Sequence, residues 1–179
     1  MRVIAGEFRR RKLKSLPGLH TRPTPDRLRE ALFNVLAPAL EGCVFVDAYA
    51  GTGAVGIEAL SRGARRAVFL ESSRAAVELI EENLRALGAL ERAEVVRAKA
   101  GLLVGRYGGD IVFADPPYEL EREYEAVLEG ARAPLLILQH ASRLALPAAT
   151  GKRRRIRVLR QGDNSLSFYT ATETPGAVD

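Results

Sequence analysis

The chain of 179 residues has one cysteine, two histidines and no tryptophan. Because Cys43 has no second cysteine to pair with, an internal disulfide framework is excluded, and His20 and His140 alone leave a metal site without its usual ligands. No apolar run approaches the roughly 20 residues of a membrane-spanning helix, and the first residues lack the long apolar segment of a signal peptide. These absences predict a cytoplasmic protein that binds no metal.

Basic residues are concentrated in two parts of the chain. Residues 1–30 contain nine Lys or Arg against three acids, and residues 152–160 contain six Lys or Arg and no acid. Since the net charge is only +5, the rest of the chain is acidic on balance. Two basic clusters on a mildly acidic body favour a polyanionic partner such as nucleic acid, with solvated charged faces as the alternative.

The length and the 47% share of hydrophobic residues fit one domain with a proper core. Residues 1–24 are predicted to form a short basic hairpin or arm, residues 25–171 the main domain, and residues 172–179 a loose polar tail. Thr24 and Pro25 are predicted to start a helix, as cap and first residue, and Pro38 and Gly42 to end it.

From residue 43 onward, short apolar strands alternate with helices. We predict strands at 43–46, 67–70, 93–96, 111–114 and 135–138, helices at 53–62, 73–87 and 121–128, and a closing hairpin of strands 155–159 and 166–169. This alternation indicates an α/β fold with a mostly parallel sheet covered by helices on both faces.

A glycine-rich loop follows the first strand. Gly51, Gly53 and Gly56 match G-x-G-x-x-G between a strand and a helix, and Glu71 lies twenty residues beyond Gly51, at the end of the next strand. This is the spacing of a carboxylate that binds ribose hydroxyls. An adenosine-containing cofactor is therefore predicted, the alternative being a tight turn with a surface glutamate.

Asp47, the acid that ends the first strand, separates two cofactor classes. A carboxylate beside the pyrophosphate of NAD(P) would be repulsive, whereas beside the amino group and sulfonium of S-adenosylmethionine it is favourable. The position of Asp47 therefore favours S-adenosylmethionine, although a capping role in the following helix is the structural alternative.

A second motif, Asp115-Pro116-Pro117-Tyr118, follows the apolar run 111–114. An acid, a rigid proline pair and an aromatic ring at a strand end suit a planar amine, because the acid and the first proline carbonyl accept N–H bonds and the ring stacks on a base. The motif predicts methylation of an exocyclic nucleobase amino group, and the alternative is an ordinary proline turn.

These motifs together resemble the class I S-adenosylmethionine-dependent amino methyltransferases. More narrowly, the chain is similar to the RsmD family over residues 1 to about 170, through the stretches 1–6, 21–34, 51–64 and 165–169. The resemblance implies a Rossmann-like sheet of seven strands and methylation of the N2 of one guanine in bacterial small-subunit (16S) ribosomal RNA. The implied substrate is the ribosomal RNA, within the small subunit or an assembly intermediate, and a monomer is expected.

The resemblance also implies three groups of site residues. The implied catalytic residues, which hold the target guanine, are Asp115, Pro116 and Tyr118. The expected cofactor-binding residues are Asp47, Tyr49, Gly51, Thr52, Gly53, Glu71, Ser72, Ala98, Lys99, Ala100 and Asp115. The expected RNA-binding residues are Arg9, Arg10, Arg11, Lys12, Arg22, Thr24, Arg27 and Arg29.

The sequence departs from the family pattern at two places. Lys99 stands where the family usually offers an acid to the adenine amino group, so backbone at 98–100 is expected to make that contact. Gln139 stands where an acid often precedes the histidine, and His140 is interpreted as structural. An N6-adenine methyltransferase is the main alternative function, followed by a glutamine methyltransferase of release factors, an NAD(P)-binding oxidoreductase and a non-enzymatic RNA-binding module.

Overall fold

The computed structural model describes residues 1–15, 24–117 and 120–172, which contain a seven-stranded sheet in the order β3-β2-β1-β4-β5-β7-β6. The strands are β1 Val44–Ala48, β2 Arg66–Glu71, β3 Ala93–Arg97, β4 Ile111–Ala114, β5 Leu135–Ala141, β6 Arg153–Gln161 and β7 Asn164–Ala171. The first five are parallel, and β7 is antiparallel to β5 and β6. The predicted α/β fold with a closing antiparallel hairpin is confirmed.

Helices cover both faces of this sheet. The α-helices in the described residues are α1 Asp26–Leu40, α2 Ala54–Ser61, α3 Arg74–Leu87, α4 Ala100–Leu103 and α5 Glu121–Gly130. Successive strand residues point to opposite faces, so Phe45 packs with α1 and α2 while Val46 packs with α4 and α5. Burial on both faces is the reason why the central strands are continuously apolar.

Three features of the helices differ from the predictions. Pro25, predicted as the first residue of α1, is its N-cap, and Thr24 does not cap the helix, because its hydroxyl bonds Gln139. Pro38 does not end α1 but lies within its last turn. Pro38 cannot donate a hydrogen bond to the Asn34 carbonyl, and its ring crowds that carbonyl; the helix continues for only two more residues. The four-residue α4 was not predicted, because so short a helix shows no apolar period.

The first fifteen residues pack against the domain. Residues Arg2 and Lys12 form an antiparallel bridge, and the side chains of Val3, Phe8 and Leu13 are buried with apolar residues of α2 and α3. The predicted boundary at residue 24 stays a prediction, and residues 173–179 of the predicted tail lie outside the described residues.

The closing hairpin puts β6 at one edge of the sheet. Its register with β7 is irregular between Arg155 and Arg157, and Ile156 at this irregularity is 56% exposed. The strand therefore combines a bulge with a row of arginines.

Neither a membrane-spanning helix nor a metal-binding cluster occurs in the described part of the chain. Within those ranges, no helix combines the length and the apolar character that a membrane crossing needs. The same residues contain no group of three or more His, Cys, Asp or Glu side chains arranged to hold a metal ion.

The carboxylate of Glu58 on α2 joins the N-terminal segment to the domain. It accepts the N–H groups of Ile4 and Ala5 at 2.8 and 3.0 Å, and it pairs with Arg62 at 2.7 Å and with the fully buried Arg29 at 3.9 Å. One buried acid thus satisfies two backbone donors and faces two guanidinium groups.

We expect Glu58→Ala to lower the free energy of unfolding by about 3–5 kcal/mol, because it leaves two amides without an acceptor and the buried Arg29 with only the exposed Asp26 as a partner acid. Urea denaturation measures this. The control is Glu78→Ala, which removes an exposed pair with Arg74 and should cost less than about 1 kcal/mol. Equal losses for both variants would show that the buried cluster is not a stability centre.

Candidate active site

The carboxyl ends of β1, β2, β4 and β5 lie at the same edge of the sheet. The chain order reverses between β1 and β4, which are hydrogen-bonded neighbours. Ligands of open α/β sheets bind at such a switch point, outside the carboxyl ends of the strands. The sequence motifs end these strands, so the structure brings the glycine loop, Glu71 and Asp115 to one edge.

The glycine loop has a backbone that side chains would disturb. Tyr49 and Gly53 have φ of 64° and 75°, a region that L-residues with a Cβ rarely adopt. A Cβ on Gly56 would lie 2.3 Å from the ring of Phe69 on β2. Gly53 is therefore required by backbone conformation, and Gly56 by the close approach of α2 to the sheet.

Asp47 is buried beneath this loop, where its Oδ2 accepts the Gly56 N–H at 2.8 Å. Burial raises the pKa of Asp47 well above its ordinary value. The Gly56 bond opposes this shift, and the nearby Asp115 and Glu71 add to it. The carboxyl thus contacts the first turn of α2, as in the capping alternative, and its contact with a cofactor stays a prediction.

Glu71 holds the loop from the other side. Its Oε2 accepts the Gly51 N–H at 2.8 Å, and its Oε1 accepts the Ser73 N–H at 2.8 Å. A carboxylate has about four lone-pair positions, so these two bonds orient the group and leave acceptor capacity on each oxygen. Thr52 beside the loop is half-buried, and Ser72 is exposed.

The next strand end carries the stretch expected to face adenine. The Ala98 N–H donates to the Glu71 carbonyl at 2.9 Å, Lys99 is exposed as the residue before α4, and Ala100 is buried. Lys99 therefore stands at a helix start with its side chain in solvent.

Tyr49 reaches away from the loop toward α5. Its hydroxyl donates to the Glu123 carboxylate, and the pKa of Tyr49 is raised by burial first and by this bond second. Sequence reasoning missed Glu123, because a glutamate in the first turn of a helix also fits an ordinary dipole contact.

The acceptor loop is tied to the glycine loop and to the sheet. The Asp115 N–H donates to the Ala48 carbonyl at 3.4 Å, and the Pro116 carbonyl accepts the Tyr124 hydroxyl at 3.3 Å. Burial raises the pKa of Asp115 to about 7. Tyr118 lies outside the described residues.

A buried polar relay supports Asp115. Gln139 Nε2 donates to Asp115 Oδ2 at 2.9 Å, and Gln139 Oε1 accepts from Thr24 Oγ1 at 3.0 Å. The relay connects the stretch before α1 with the acceptor loop through β5. Sequence reasoning noted Gln139 only as a departure from the family pattern, although its place at the end of the neighbouring strand was the available signal.

The structure corrects part of the predicted RNA surface. Arg29 is fully buried, with Nη2 donating to the Arg2 carbonyl at 2.7 Å, and Thr24 is buried in the relay. Neither side chain is available to a phosphate. A helix periodicity argument would have found Arg29, since it follows Leu28 on the inward side of α1. Arg22 lies outside the described residues.

The remaining predicted RNA contacts are exposed. Residues 9–12, which we call the basic turn, and Arg27 all have exposed side chains. The residues just before the basic turn contact the C-terminal end of α2, where the Glu7 and Phe8 N–H groups donate to Ser61. Within the turn, Arg11 donates to the Ala86 carbonyl near the end of α3. Because α2 begins at the glycine loop and rises about 1.5 Å per residue, the basic turn lies at least about 10 Å from the loop.

Comparisons with known proteins agree with this architecture. The family model described as "Conserved hypothetical protein 95" matches residues 1–170. The "Putative rRNA methyltransferase YlbH" of Bacillus subtilis is 33% identical over 168 residues, covering 84% of this chain and 88% of that protein. The "Ribosomal RNA small subunit methyltransferase D" of Escherichia coli is 44% identical over 122 residues, covering 66% of this chain but only 60% of that enzyme.

Solved structures show the same fold. The "Putative methyltransferase yhhF" from Escherichia coli has a TM-score of 0.82 at 34% identity and covers 96% of this chain and 97% of its own. An RNA methyltransferase from Salinibacter ruber, solved in complex with S-adenosyl-L-homocysteine, has a TM-score of 0.67 at 16% identity, over 87% of this chain and 97% of its own. At that identity the second likeness shows the fold alone.

The raised pKa of Asp115 predicts a pH-dependent stability difference. The folded protein keeps this carboxyl protonated up to about pH 7, whereas in the unfolded chain it ionises near pH 4. Ionisation therefore favours unfolding as the pH rises between these values. Asp115→Asn removes this ionisation. The free energy of unfolding of the variant, relative to that of the original chain, should therefore rise by about 2–3 kcal/mol between pH 5 and pH 8.

Urea denaturation of both proteins at each pH measures this difference. The control is Asp163→Asn, at an exposed turn residue, which should give a stability difference that does not change with pH. A constant difference for Asp115→Asn as well would show that the carboxyl is not held protonated by the fold.

Proposed function

Because the chain belongs to the RsmD family of ribosomal RNA methyltransferases, we propose that it transfers a methyl group from S-adenosylmethionine to the exocyclic N2 of a guanine in small-subunit ribosomal RNA. The main support is the meeting of two loops at one sheet edge, where the Asp115 N–H donates to the Ala48 carbonyl at 3.4 Å. A loop suited to the methyl donor and a loop suited to its acceptor are thereby held by neighbouring strands.

The residues at the ends of β1 and β2 fit S-adenosylmethionine. Glu71 is oriented by two backbone bonds and retains acceptor capacity for ribose hydroxyls. Burial raises the pKa of Asp47 and of Asp115, so a sulfonium or ammonium group bound here would favour their ionised forms, whereas a pyrophosphate would oppose ionisation. The Ala98–Ala100 backbone is proposed to face the adenine, since the side chain of Lys99 is exposed and offers no acceptor.

When bound, S-adenosylmethionine supplies an electrophilic methyl group on sulfur. The guanine amino nitrogen is a weak nucleophile, because its lone pair is delocalised into the ring. In the proposed mechanism the Asp115 carboxylate and the Pro116 carbonyl accept its two N–H bonds, which favours a pyramidal nitrogen and stabilises the positive charge that develops on it. The Tyr124 hydroxyl fixes the orientation of the Pro116 carbonyl and leaves it a second lone pair.

Asp115 is also suited to take the proton that the methylated nitrogen releases. Its raised pKa of about 7 is close to the value at which a general base works best at neutral pH. The Gln139 amide donates to Oδ2 and so fixes the rotation of the carboxyl group. Gln139 is thus proposed as a positioning residue and Asp115 as the acceptor.

The target guanine must leave its stack to reach this edge, and unpaired loops are where this costs least. Tyr118 is proposed to stack on the flipped base. We further propose that the substrate is the small subunit or an assembly intermediate, that the enzyme acts as a monomer and that it is cytoplasmic.

Methyl transfer from radiolabelled S-adenosylmethionine tests the proposed reaction. Small subunits and protein-free ribosomal RNA from cells lacking the gene serve as substrates, and nuclease digestion identifies the product. We expect N2-methylguanine. N6-methyladenine in its place would overturn the guanine assignment and favour the alternative enzyme class, and the better of the two substrates shows whether assembly precedes methylation.

We expect Asp115→Ala to reduce the transfer rate by at least about 100-fold, in the range expected for removal of an acceptor or general base. Calorimetry should show S-adenosylmethionine binding within a few-fold of the original affinity. Glu129→Ala, on the exposed side of α5, is the control and should keep full activity. Normal turnover by Asp115→Ala would show that another group accepts the amine.

The place of the basic turn predicts that its contribution depends on RNA length. Replacing Arg9, Arg10 and Lys12 with Gln should weaken binding of whole small-subunit RNA and reduce its salt dependence by roughly 0.7–0.9 log units for each phosphate that is no longer neutralised. A fragment of the target nucleotide and one neighbour should bind unchanged, because at about 3.4 Å per nucleotide it does not span the distance from Asp115 to the basic turn. Equal weakening for both RNAs, measured by filter binding over a salt series, would contradict this geometry.

A further inference from the structure

A small cavity lies beside the end of β5 on the face opposite Gln139. It has a volume of about 190 Å³, and its lining includes the charged Arg143, Arg155 and Arg160 and the neutral ring of His140. The polar part of its wall is completed by Ser142, Ser165 and Ser167. Among these described lining residues there is no Asp or Glu, so the cavity is strongly positive.

The arginines of this cavity differ from those on the helices. Arg74 and Arg85 pair with acids one turn away on α3, and Arg66 pairs with an acid on the neighbouring strand. Within the described residues, Arg143 and Arg160 lie within ion-pair distance of no carboxylate. Three guanidinium groups around one cavity repel each other, so this arrangement favours an external anion.

The hydrogen bonds of the wall leave Arg143 and Arg160 as donors, whereas Arg155 Nη1 already donates to the Leu146 carbonyl at 2.9 Å. The His140 Nδ1 lies 2.9 Å from the Ala141 carbonyl, which can only accept, so this nitrogen carries the proton; Nε2, 2.9 Å from the Ser167 hydroxyl, is left as the acceptor. The Ser142 hydroxyl donates to the Gly162 carbonyl and is therefore left to accept from Ser165. The serine protons are thus engaged, whereas Arg160 and Arg143 each present five N–H donors.

The size of the cavity selects a small anion. Binding sites for drug-sized ligands are typically about 300–1,000 Å³, so the smaller volume of 190 Å³ favours a small ligand. A tetrahedral oxyanion fits this space, and arginine is the side chain best matched to phosphate oxygens.

The cavity lies close to the acceptor loop. His140 directly follows Gln139, whose side chain donates to Asp115 on the other face of the sheet. Arg160 and Ser165 are paired residues of the β6–β7 hairpin, and Ser165 pairs in turn with His140, so they lie at the same carboxyl edge. This places the cavity far closer to Asp115 than the basic turn, which lies near the opposite end of α2.

We propose that this cavity binds a phosphate group through Arg143, Arg155 and Arg160, and that the group is a backbone phosphate of the RNA strand next to the target nucleotide. The assignment to RNA rests on the proposed function, whereas the assignment to phosphate rests on the cavity alone. The contact holds the strand on one side of the β5 end while the base enters on the other.

The test compares two charge-matched double variants. Arg143→Gln with Arg160→Gln removes two cavity arginines, and Arg154→Gln with Arg157→Gln removes two exposed arginines of β6 that do not line the cavity. We expect the cavity variant to reduce the salt dependence of binding to small-subunit RNA by roughly 0.7–0.9 log units for each phosphate left without its arginine, with the control close to the original chain. Equal effects of the two variants would overturn the proposal, since they would reflect general charge alone.

A second measurement separates RNA from free phosphate. In a His20→Gln background His140 is the one remaining histidine, and its imidazole NMR signals report on the cavity. Inorganic phosphate, exchanged for chloride at constant ionic strength, should shift these signals in the original cavity and leave them unchanged in the cavity variant. Absence of a shift with both phosphate and a short RNA overturns the site.

The two proposals fail in different ways. A phosphate shift without any change in the RNA salt dependence overturns the RNA assignment and gives the cavity to free phosphate. A phosphate shift in a protein that transfers no methyl group would remove the proposed function and leave the site standing. Methyl transfer by a protein whose His140 signals respond to neither phosphate nor RNA would support the proposed function and overturn the phosphate site.

Discussion

The bond between the Gly56 N–H and the buried Asp47 carboxyl fixes the point at which β1 becomes α2. Because that point is fixed, the intervening loop must turn within a few residues, and it does so with Tyr49 and Gly53 at positive φ. Glu71 then holds the Gly51 amide, and the Ala48 carbonyl accepts from Asp115. The donor and acceptor halves of the site therefore depend on the same strand-to-helix junction.

Three acidic side chains lie close together at this junction. Asp115 and Glu71 both lie near enough to Asp47 to raise the pKa of its carboxyl group. Such repulsion costs stability in the free protein, and a positively charged ligand relieves it. The acids thus lie together at this edge, while exposed arginines lie elsewhere, on the basic turn and around the cavity at β5.

Local sequence patterns predicted the fold well because the strands are short apolar runs and the loop motif has a fixed spacing. The run 111–114 coincides with β4, and Ser73 and Gly88 cap α3 as expected. The errors concern partners distant in sequence. Arg29 is basic and lies in a basic stretch, but its partners Arg2 and Glu58 draw it inside. Gln139 and Thr24 acquire their roles only when β5 lies beside the acceptor loop, which no local pattern reveals.

The irregular edge strand β6 has a consequence for the behaviour of the protein in concentrated solution. An edge strand offers unpaired backbone groups that can join a second copy into a growing sheet, and natural proteins prevent this with bulges and charged side chains. The bulge at Ile156 and the exposed Arg154, Arg157 and Arg160 act in this way here. The side chains of this strand therefore hinder the sheet of one molecule from continuing into the sheet of the next.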